Sequence, residues 1–584
     1  MSSRIEVHNL SVRYPRALRS ALQDVSFTVT RGEMLLLLGP SGSGKSTLGL
    51  CLSGLIPASI PARVEGRILM DGRDASVMSV AQRSSEIGMV FQDPEAQFCM
   101  LTVQDEVAFG LENLAVPRSE MDARIAQALG MVGLSDRPGE RVDRLSRGQK
   151  QRLALASALA RRPSVLFLDE PTANLDPNAR YEFFQLLGAL RRDEPDLTII
   201  IVEHILDDLI DTVDRVLLLR PGGLLHAVGK PGEVFDRQGE ELDRMGIWLP
   251  QVTALGRRVR LAGLPLSRLP ITVEQATSEF DSLLIHRSLP AHGHSSDTGT
   301  SSTEKASAAI SVRNLSFGYR PDREVLHDVS LEVPSGSFFA LMGPNGSGKT
   351  SLASHFAEIL TPTPAHVYVL GDDITTLTTA EITERVGYVF QNPEHQFVEQ
   401  RVDDELLYSL RLRGRPEEEM EAIGDELLDS FGLTPYRTRN PFSLSQGEKR
   451  RLSVATMLSV GQRILVLDEP TFGQDRHTAH ALMTHLQALH RDGVTVFIIT
   501  HDMQLVADYA QSVAVLVSGR VRYVGPVPAL FDDRTLLDEA SLRELSFHRL
   551  ARSLQVSYAD GSAPMSIREW LPFFGLAQEE QTRP

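Results

Sequence analysis

Two short stretches of this chain carry the residue types that bind nucleotide phosphates. Each follows the pattern G-x-x-x-x-G-K-[ST], in which glycines let the backbone curl so that N–H groups and a helix N-terminus face an anion. The lysine would reach the β- and γ-phosphates, and the hydroxyl after it would ligate Mg²⁺. The residues are Gly39, Pro40, Ser41, Gly42, Ser43, Gly44, Lys45, Ser46 and Thr47, and again Gly343, Pro344, Asn345, Gly346, Ser347, Gly348, Lys349, Thr350 and Ser351.

An acidic pair at the end of a continuous apolar run also occurs twice, as Asp169-Glu170 and as Asp468-Glu469. An aspartate where a buried strand emerges can hold Mg²⁺ through water, opposite the phosphate-binding loop. The glutamate points elsewhere because side chains alternate along a strand, and it is placed to deprotonate a water that attacks the γ-phosphate. The alternative is a solvated turn with two acids, which the two phosphate-binding loops disfavour.

A leucine-serine motif precedes a basic and then apolar helix in each half of the chain. Serine is a good N-cap residue, so each motif predicts a helix N-terminus that can hold an anion. Taken by itself, the motif favours ordinary helix capping. Its candidate binding residues are Ser146, Gly148 and Gln149 in the first half, and Ser445, Gly447 and Glu448 in the second.

All these patterns recur in the same order, which indicates a duplicated domain. Continuous apolar runs at 164–168, 197–202, 464–467 and 494–499 predict strands buried on both faces of a parallel sheet, with helices between them. Each half is therefore predicted to be an α/β P-loop domain with an antiparallel leading portion.

The predicted organisation has five parts. Weakly similar accessory segments follow the two domains, and the stretch between the halves is rich in Ser, Thr, His and Gly, which is typical of a flexible linker. The parts are domain one (1–235), an accessory segment (236–290), the linker (291–308), domain two (309–530) and a C-terminal accessory segment (531–584).

Length, net charge, cysteine content and the length of the apolar runs limit the class of protein to which this chain can belong. A chain of 584 residues is too long for one hydrophobic core. The net charge of −17 argues against DNA or RNA as the main partner, because phosphate binding is driven by clustered cations. Two cysteines fit a reducing compartment and imply no disulfide scaffold. The sequence offers no apolar run long enough to span a bilayer, so we expect a soluble protein.

Taken together, the motifs of each half resemble the nucleotide-binding domain of ATP-binding-cassette (ABC) proteins, over roughly residues 4–235 and 309–530. The resemblance implies a helical subdomain in each half, with ATP and Mg²⁺ as ligands. It implies that Tyr14 and Tyr319 stack on adenine. The implied catalytic residues are Glu170, His204, Glu469 and His501, and the implied metal ligands are Ser46, Gln92, Asp169, Thr350, Gln391 and Asp468.

The resemblance also implies that the two halves pair head to tail within one chain. Each ATP would then lie between the phosphate-binding loop of one half and the serine motif of the other. Both glutamates and both histidines are present, so we predict two hydrolytic sites. Arg147 and Gln446 replace the glycine usual in the serine motif, which leaves equal turnover at the two sites open.

The stretch F-Q-D-P-E-A-Q-F around Gln92, echoed around Gln391, resembles the energy-coupling-factor importers, which take up vitamins and transition-metal ions. This implies a peripheral ATPase subunit at the cytoplasmic face of the cell membrane. Its partners would be a transmembrane coupling protein and a substrate-binding membrane subunit, with no nucleic acid. Two alternatives stay open, namely a soluble tandem ABC ATPase acting on the ribosome or nucleic acid, and the ATPase of another ABC importer class. The substrate would be chosen by a separate membrane subunit.

Overall fold

A computed structural model describes residues 3–173, 175–290, 307–320, 323–471, 473–474 and 476–577. The chain divides into two compact units, Met1–Leu283 and Leu284–Pro584. Both are α/β, and the predicted class of two tandem P-loop domains is confirmed. The linker predicted at 291–308 lies outside the described residues, except for its last two positions.

The first unit contains ten strands and eleven α-helices within its described residues. The strands are β1 (Ser3–Arg13), β2 (Leu22–Thr30), β3 (Met34–Leu38), β4 (Arg63–Met70), β5 (Arg73–Asp74), β6 (Ile87–Val90), β7 (Val165–Asp169), β8 (Thr198–Val202), β9 (Arg215–Arg220) and β10 (Leu224–Gly229). The helices are α1 (Lys45–Leu52), α2 (Leu55–Ala58), α3 (Val80–Glu86), α4 (Val103–Asn113), α5 (Arg118–Met131), α6 (Arg147–Leu159), α7 (Pro177–Asp193), α8 (Pro231–Arg237), α9 (Gly239–Arg244), α10 (Gln251–Leu261) and α11 (Val273–Phe280).

These strands form one sheet in the order β5-β4-β1-β2-β10-β9-β3-β8-β7-β6. The stretch from β9 to β6 is parallel, whereas β1 pairs antiparallel with β2 and β4. Every residue of β3, β7 and β8 is buried, because apolar side chains cover both faces of the parallel part. The carboxyl ends of β3 and β7 lie on the same edge of the sheet, and this edge positions the phosphate-binding loop beside the acidic pair.

The second unit repeats this plan. Its strands are β11 (Ser288–Leu289), β12 (Ala308–Phe317), β13 (Leu326–Pro334), β14 (Phe338–Met342), β15 (Val367–Val369), β16 (Asp372–Asp373), β17 (Val386–Val389), β18 (Ile464–Asp468), β19 (Thr495–Ile499), β20 (Ser512–Val517), β21 (Arg520–Pro526) and β22 (Ser557–Tyr558). Its helices are α12 (Lys349–Ser354), α13 (Thr379–Arg385), α14 (Val402–Leu412), α15 (Glu417–Ser430), α16 (Gln446–Leu458), α17 (Arg476–Arg491), α18 (Met503–Tyr509), α19 (Val527–Asp532), α20 (Arg534–Glu539), α21 (Ser546–Leu554) and α22 (Ile567–Trp570).

Here the parallel core is a six-stranded sheet in the order β17-β18-β19-β14-β20-β21, and a four-stranded antiparallel sheet in the order β13-β12-β15-β16 leads it. The parallel strands β14, β18 and β19 are again buried throughout. The edge that carries the ends of β14 and β18 is therefore equivalent to the edge described in the first unit.

The accessory segment predicted at 236–290 is divided between the two units, with its last residues in the second. Strand β11 pairs in parallel with β22 of the C-terminal segment, and the amides of Ile285 and His286 donate to the Phe573 carbonyl. Residues 284–290 therefore pack in the second unit, against the accessory segment built around the fully buried Trp570. Within the described residues, every helix is too short or too polar to cross a membrane.

Candidate functional site

In the first unit the phosphate-binding loop connects β3 to α1. Gly44 caps α1 with a left-handed backbone (φ 93°), and a Cβ there would lie 2.4 Å from the Ala21 carbonyl oxygen, so only glycine fits without displacing the strand. Lys45 Nζ donates to the carbonyls of Gly39 at 2.8 Å and Pro40 at 3.0 Å, which holds the ammonium inside the curl of the loop.

The second unit builds the same loop between β14 and α12. Gly348 has φ 100°, and Lys349 Nζ donates to the carbonyls of Gly343 and Pro344, each at 2.8 Å. In both loops a serine hydroxyl, on Ser43 and on Ser347, is buried without a hydrogen-bond partner among the described residues. A phosphate oxygen would satisfy such a group, so both loops fit a nucleotide triphosphate.

The aspartate of each acidic pair lies against the hydroxyl that follows the loop lysine. Thr350 donates to Asp468 at 2.7 Å, and Ser46 is hydrogen-bonded to Asp169. Burial raises the pKa of Asp468 to about 6 and also raises the pKa of Asp169, although the hydroxyl partners act in the opposite direction. A buried carboxylate whose desolvation outweighs the charges of its cationic neighbours, next to a hydroxyl, fits a hard divalent cation such as Mg²⁺.

The glutamate of each pair stands at the first position after its strand in a left-handed conformation, with φ 46° at Glu170 and 50° at Glu469. A non-glycine residue in this region carries backbone strain, which concentrates at functional sites. Its amide nevertheless continues the sheet, donating to the Val202 carbonyl in the first unit and to the Ile499 carbonyl in the second. The strained turn aims each carboxylate at a histidine.

Those histidines are the two predicted from sequence. His204 Nε2 lies 3.0 Å from Glu170, and His501 Nδ1 lies 2.8 Å from Glu469. Burial alone would raise the pKa of both glutamates, but the hydrogen bonds and charges of the histidines, with the charge of the loop lysine, hold each pKa below its ordinary value. Both carboxylates are therefore ionised near pH 7, the state that a general base requires.

The remaining predicted residues fall into two groups. Gln92 Nε2 donates to Glu170 at 2.8 Å, so it reaches the acidic pair. Tyr14 contacts the Thr47 hydroxyl at 3.1 Å, and Tyr319 contacts the Ser351 hydroxyl at 3.0 Å, which places both rings beside the phosphate-binding helix.

The serine motifs form the second group. Ser146 and Ser445 are N-cap residues, each in a reciprocal capping box with Gln149 or Glu448. Gly148 and Gly447 lie in the first turns of the same helices, α6 and α16. The capping explains the local sequence, and a role of these helix ends in binding nucleotide stays a prediction.

One buried acid behind the first site was missed by the sequence reasoning. Glu203 is 4% exposed and accepts hydrogen bonds from the Thr172 amide at 3.0 Å and the Thr172 hydroxyl at 2.7 Å. Its position, directly after an apolar strand and before His204, could have indicated a buried acid, because an acid at such a place needs a hydrogen-bond partner. The second unit has the neutral Thr500 at this position, so the two sites differ electrostatically.

Glu203 makes the stability of the first unit dependent on pH. Burial raises its pKa to about 7, so the folded chain binds this proton more tightly than the unfolded chain, and the resulting stabilisation is lost as pH rises from about 4.5 through 7. Glu203→Gln removes that loss, and its amide oxygen can still accept from Thr172. Between pH 5 and pH 8 we expect the unfolding free energy of Glu203→Gln to increase relative to that of the wild type, by at most roughly 3 kcal/mol. The Tm of the variant should rise relative to the wild-type Tm over the same pH range.

Differential scanning fluorimetry at the two pH values measures this difference. Glu120→Gln, a surface glutamate paired with Arg124 on α5, is the control and should show the same difference at both pH values. A pH-independent difference for Glu203→Gln would show that the buried carboxyl does not titrate in this range.

Comparison with known proteins gives a consistent result for both halves. A family model described as "ABC transporter" matches residues 22–173 and 326–472. A Bacillus subtilis (strain 168) protein named an HMP/thiamine import ATP-binding protein, YkoD, is 38% identical over 540 residues, which cover 92% of this chain and 94% of that protein. An ABC transporter ATP-binding protein of Methanosarcina acetivorans is 36% identical over 95% of this chain and 91% of its own length. A solved structure titled cbiO1 from Clostridium perfringens, part of the ABC transporter complex cbiONQ, is 32% identical and covers 42% of this chain and 96% of that chain, with a TM-score of 0.37.

Proposed function

This chain belongs to the ABC transporter family of ATPases, and from that membership we propose that it is the ATP-hydrolysing subunit of an energy-coupling-factor type importer. Its separate membrane subunits would be a transmembrane coupling protein and a substrate-binding protein, with the ATPase at the cytoplasmic face of the cell membrane. The observation that carries the proposal is the relative named for HMP/thiamine import, which is similar over 92% of this chain. The proposed substrate class is a vitamin or vitamin precursor.

Each unit supplies a full set of groups for hydrolysis. The loop amides and Lys45 or Lys349 would bind the triphosphate, and Ser46 with Asp169, or Thr350 with Asp468, would hold Mg²⁺. Bound Mg²⁺ would neutralise charge on the β- and γ-phosphate oxygens. Gln92 and Gln391 would complete the cation site.

The proton transfer is assigned to the glutamates. Glu170 and Glu469 would accept a proton from the attacking water, and His204 and His501 would hold each carboxylate in place and contact the γ-phosphate. We propose that both sites hydrolyse ATP, because each unit has an ionised glutamate with its histidine within hydrogen-bond distance. Following the family resemblance, we further propose that Ser146 and Ser445 each serve the nucleotide of the other half.

Co-purification from detergent-solubilised membranes tests the importer assignment. Affinity capture of the tagged full chain is expected to recover integral-membrane subunits in fixed proportion, identified by mass spectrometry. Recovery of ribosomes or nucleic acid, without membrane proteins, would contradict it and favour the soluble tandem ATPase.

An uptake assay tests the substrate class. In cells lacking the gene, the wild-type chain should restore uptake of labelled HMP or thiamine, while the Glu170→Gln/Glu469→Gln chain should not. The control is Glu120→Gln/Glu419→Gln, which changes two surface glutamates that each pair with an arginine one helical turn away. Equal uptake with the two double variants would separate transport from hydrolysis at these sites.

A further inference from the structure

A buried arginine ties the loop that carries Gln391 to helix α16 in the second unit. Arg450, on α16, is 3% exposed, and its guanidinium donates to the backbone carbonyls of Phe390 and Gln391. Burial lowers its pKa to about 10, against the opposing charges of Asp468 and Glu469, so the side chain remains cationic at neutral pH. Hydrogen bonds from a charged donor are among the strongest in proteins, and two from one planar group fix both distance and orientation.

Two more side chains join the same loop to the same helix. Gln396 donates to the Ser453 carbonyl at 2.9 Å and to the Thr456 hydroxyl at 3.0 Å. Lys449 pairs with Glu394 at 2.5 Å. The loop at 390–397, which we call the Gln391 loop, is therefore attached to α16 near its beginning, its middle and its end.

The corresponding loop of the first unit, the Gln92 loop (91–98), is attached differently. The position equivalent to Arg450 is Gln151, which is buried and whose Nε2 has no hydrogen-bond partner in the described part of the chain. Gln97 bonds instead within its own segment, to the Phe91 amide and the Met89 carbonyl. The ion pair of Lys150 with Glu95, at 2.6 Å, is retained.

We propose that Arg450 is a positioning residue that locks the Gln391 loop to α16, whereas the Gln92 loop is held to α6 less tightly, through the Lys150–Glu95 ion pair. Because Ser445 is the N-cap residue of α16 and the loop carries Gln391, the lock makes the serine motif and the glutamine of the second unit move together. The backbone at Gln391 is then fixed relative to α16 before nucleotide arrives, whereas the backbone at Gln92 lacks an equivalent attachment to α6. The inference rests on membership of the ATPase family and not on the importer role.

Hydrogen–deuterium exchange of the full chain tests the lock. In the wild type, amides of the Gln391 loop should exchange about tenfold more slowly than those of the Gln92 loop, the factor expected for one charge-assisted hydrogen bond. Arg450→Gln, which installs the first unit's residue, should remove most of the difference, and the remainder is expected from the hydrogen bonds of Gln396 to α16. Arg450→Lys should restore part of the protection, because an ammonium keeps the charge without the planar fork.

Arg451→Gln is the matched control, because its guanidinium donates to the Phe431 carbonyl outside the Gln391 loop. It should leave the exchange of the Gln391 loop unchanged. Steady-state hydrolysis supplies the second readout. Arg450→Gln is expected to lower kcat by up to about twofold, because the second site loses its share of turnover, with KM for ATP unchanged. Equal exchange of the two loops in the wild type, protection unaffected by Arg450→Gln, or an equal effect of Arg451→Gln would overturn the proposal.

Discussion

Glu170→Gln combined with Glu469→Gln is expected to lower ATP hydrolysis by about 10²–10⁴-fold, the cost typical of losing a general base. Each carboxylate is held ionised by its histidine and the loop lysine, and glutamine keeps the shape of the side chain while it cannot accept the proton. The amide can still pair with His204 or His501, so folding and ATP binding should be preserved. Phosphate release measured at saturating ATP checks the loss.

The control for that result is Glu120→Gln/Glu419→Gln, which also replaces one glutamate in each unit by glutamine but on the surface of α5 and α15. It should hydrolyse ATP at the wild-type rate. Hydrolysis by the Glu170→Gln/Glu469→Gln chain at more than a tenth of the wild-type rate would contradict the assignment of the bases.

The second large effect is expected on the affinity of each site for ATP. Lys45→Met or Lys349→Met should weaken ATP binding at the altered site by about 30–150-fold, because a charge-assisted contact with the phosphates is worth roughly 2–3 kcal/mol. Methionine preserves most of the apolar stem of the buried lysine, so the fold should persist. Titration with a fluorescent ATP analogue measures the affinity of each variant.

Lys230→Met is the charge-matched control for both variants, since Lys230 caps α8 away from the phosphate-binding loop. Its affinity for ATP should equal that of the wild type. If Lys45→Met bound the analogue as tightly as Lys230→Met does, the loop of the first unit would not be a phosphate site.

The parts of the fold that were predictable from sequence are those fixed by local patterns. The apolar run at 164–168 became β7, with Asp169 as its last residue, and the phosphate-binding helix begins at Lys45. Continuous apolar runs indicate strands that are covered on both faces, and a left-handed glycine before the lysine determines where the helix starts. The family resemblance gave Glu170, His204, Glu469 and His501 as catalytic residues, whereas the hydrogen bond between each glutamate and its histidine is seen only in the structure.

The parts that were not predictable depend on contacts between distant segments. Glu203 looked like an ordinary polar neighbour of His204, and only the fold brings Thr172 to it. Arg450 belongs to a basic run whose members are equivalent in the sequence, and only the fold shows that Arg450 is buried and donates to the carbonyls of Phe390 and Gln391. A two-residue strand such as β11 is too short to show a periodic pattern. No pattern in the sequence therefore predicts that residues 284–290 pack in the second unit.

The most direct test of the account is to count ATP molecules on the full-length Glu170→Gln/Glu469→Gln chain. Equilibrium dialysis with labelled ATP and Mg²⁺ is expected to give two nucleotides per chain, falling to one when Lys45→Met or Lys349→Met is added. A stoichiometry of one in the double variant, or no change on adding either lysine substitution, would contradict the claim that each unit of this chain has a phosphate-binding loop that holds one ATP.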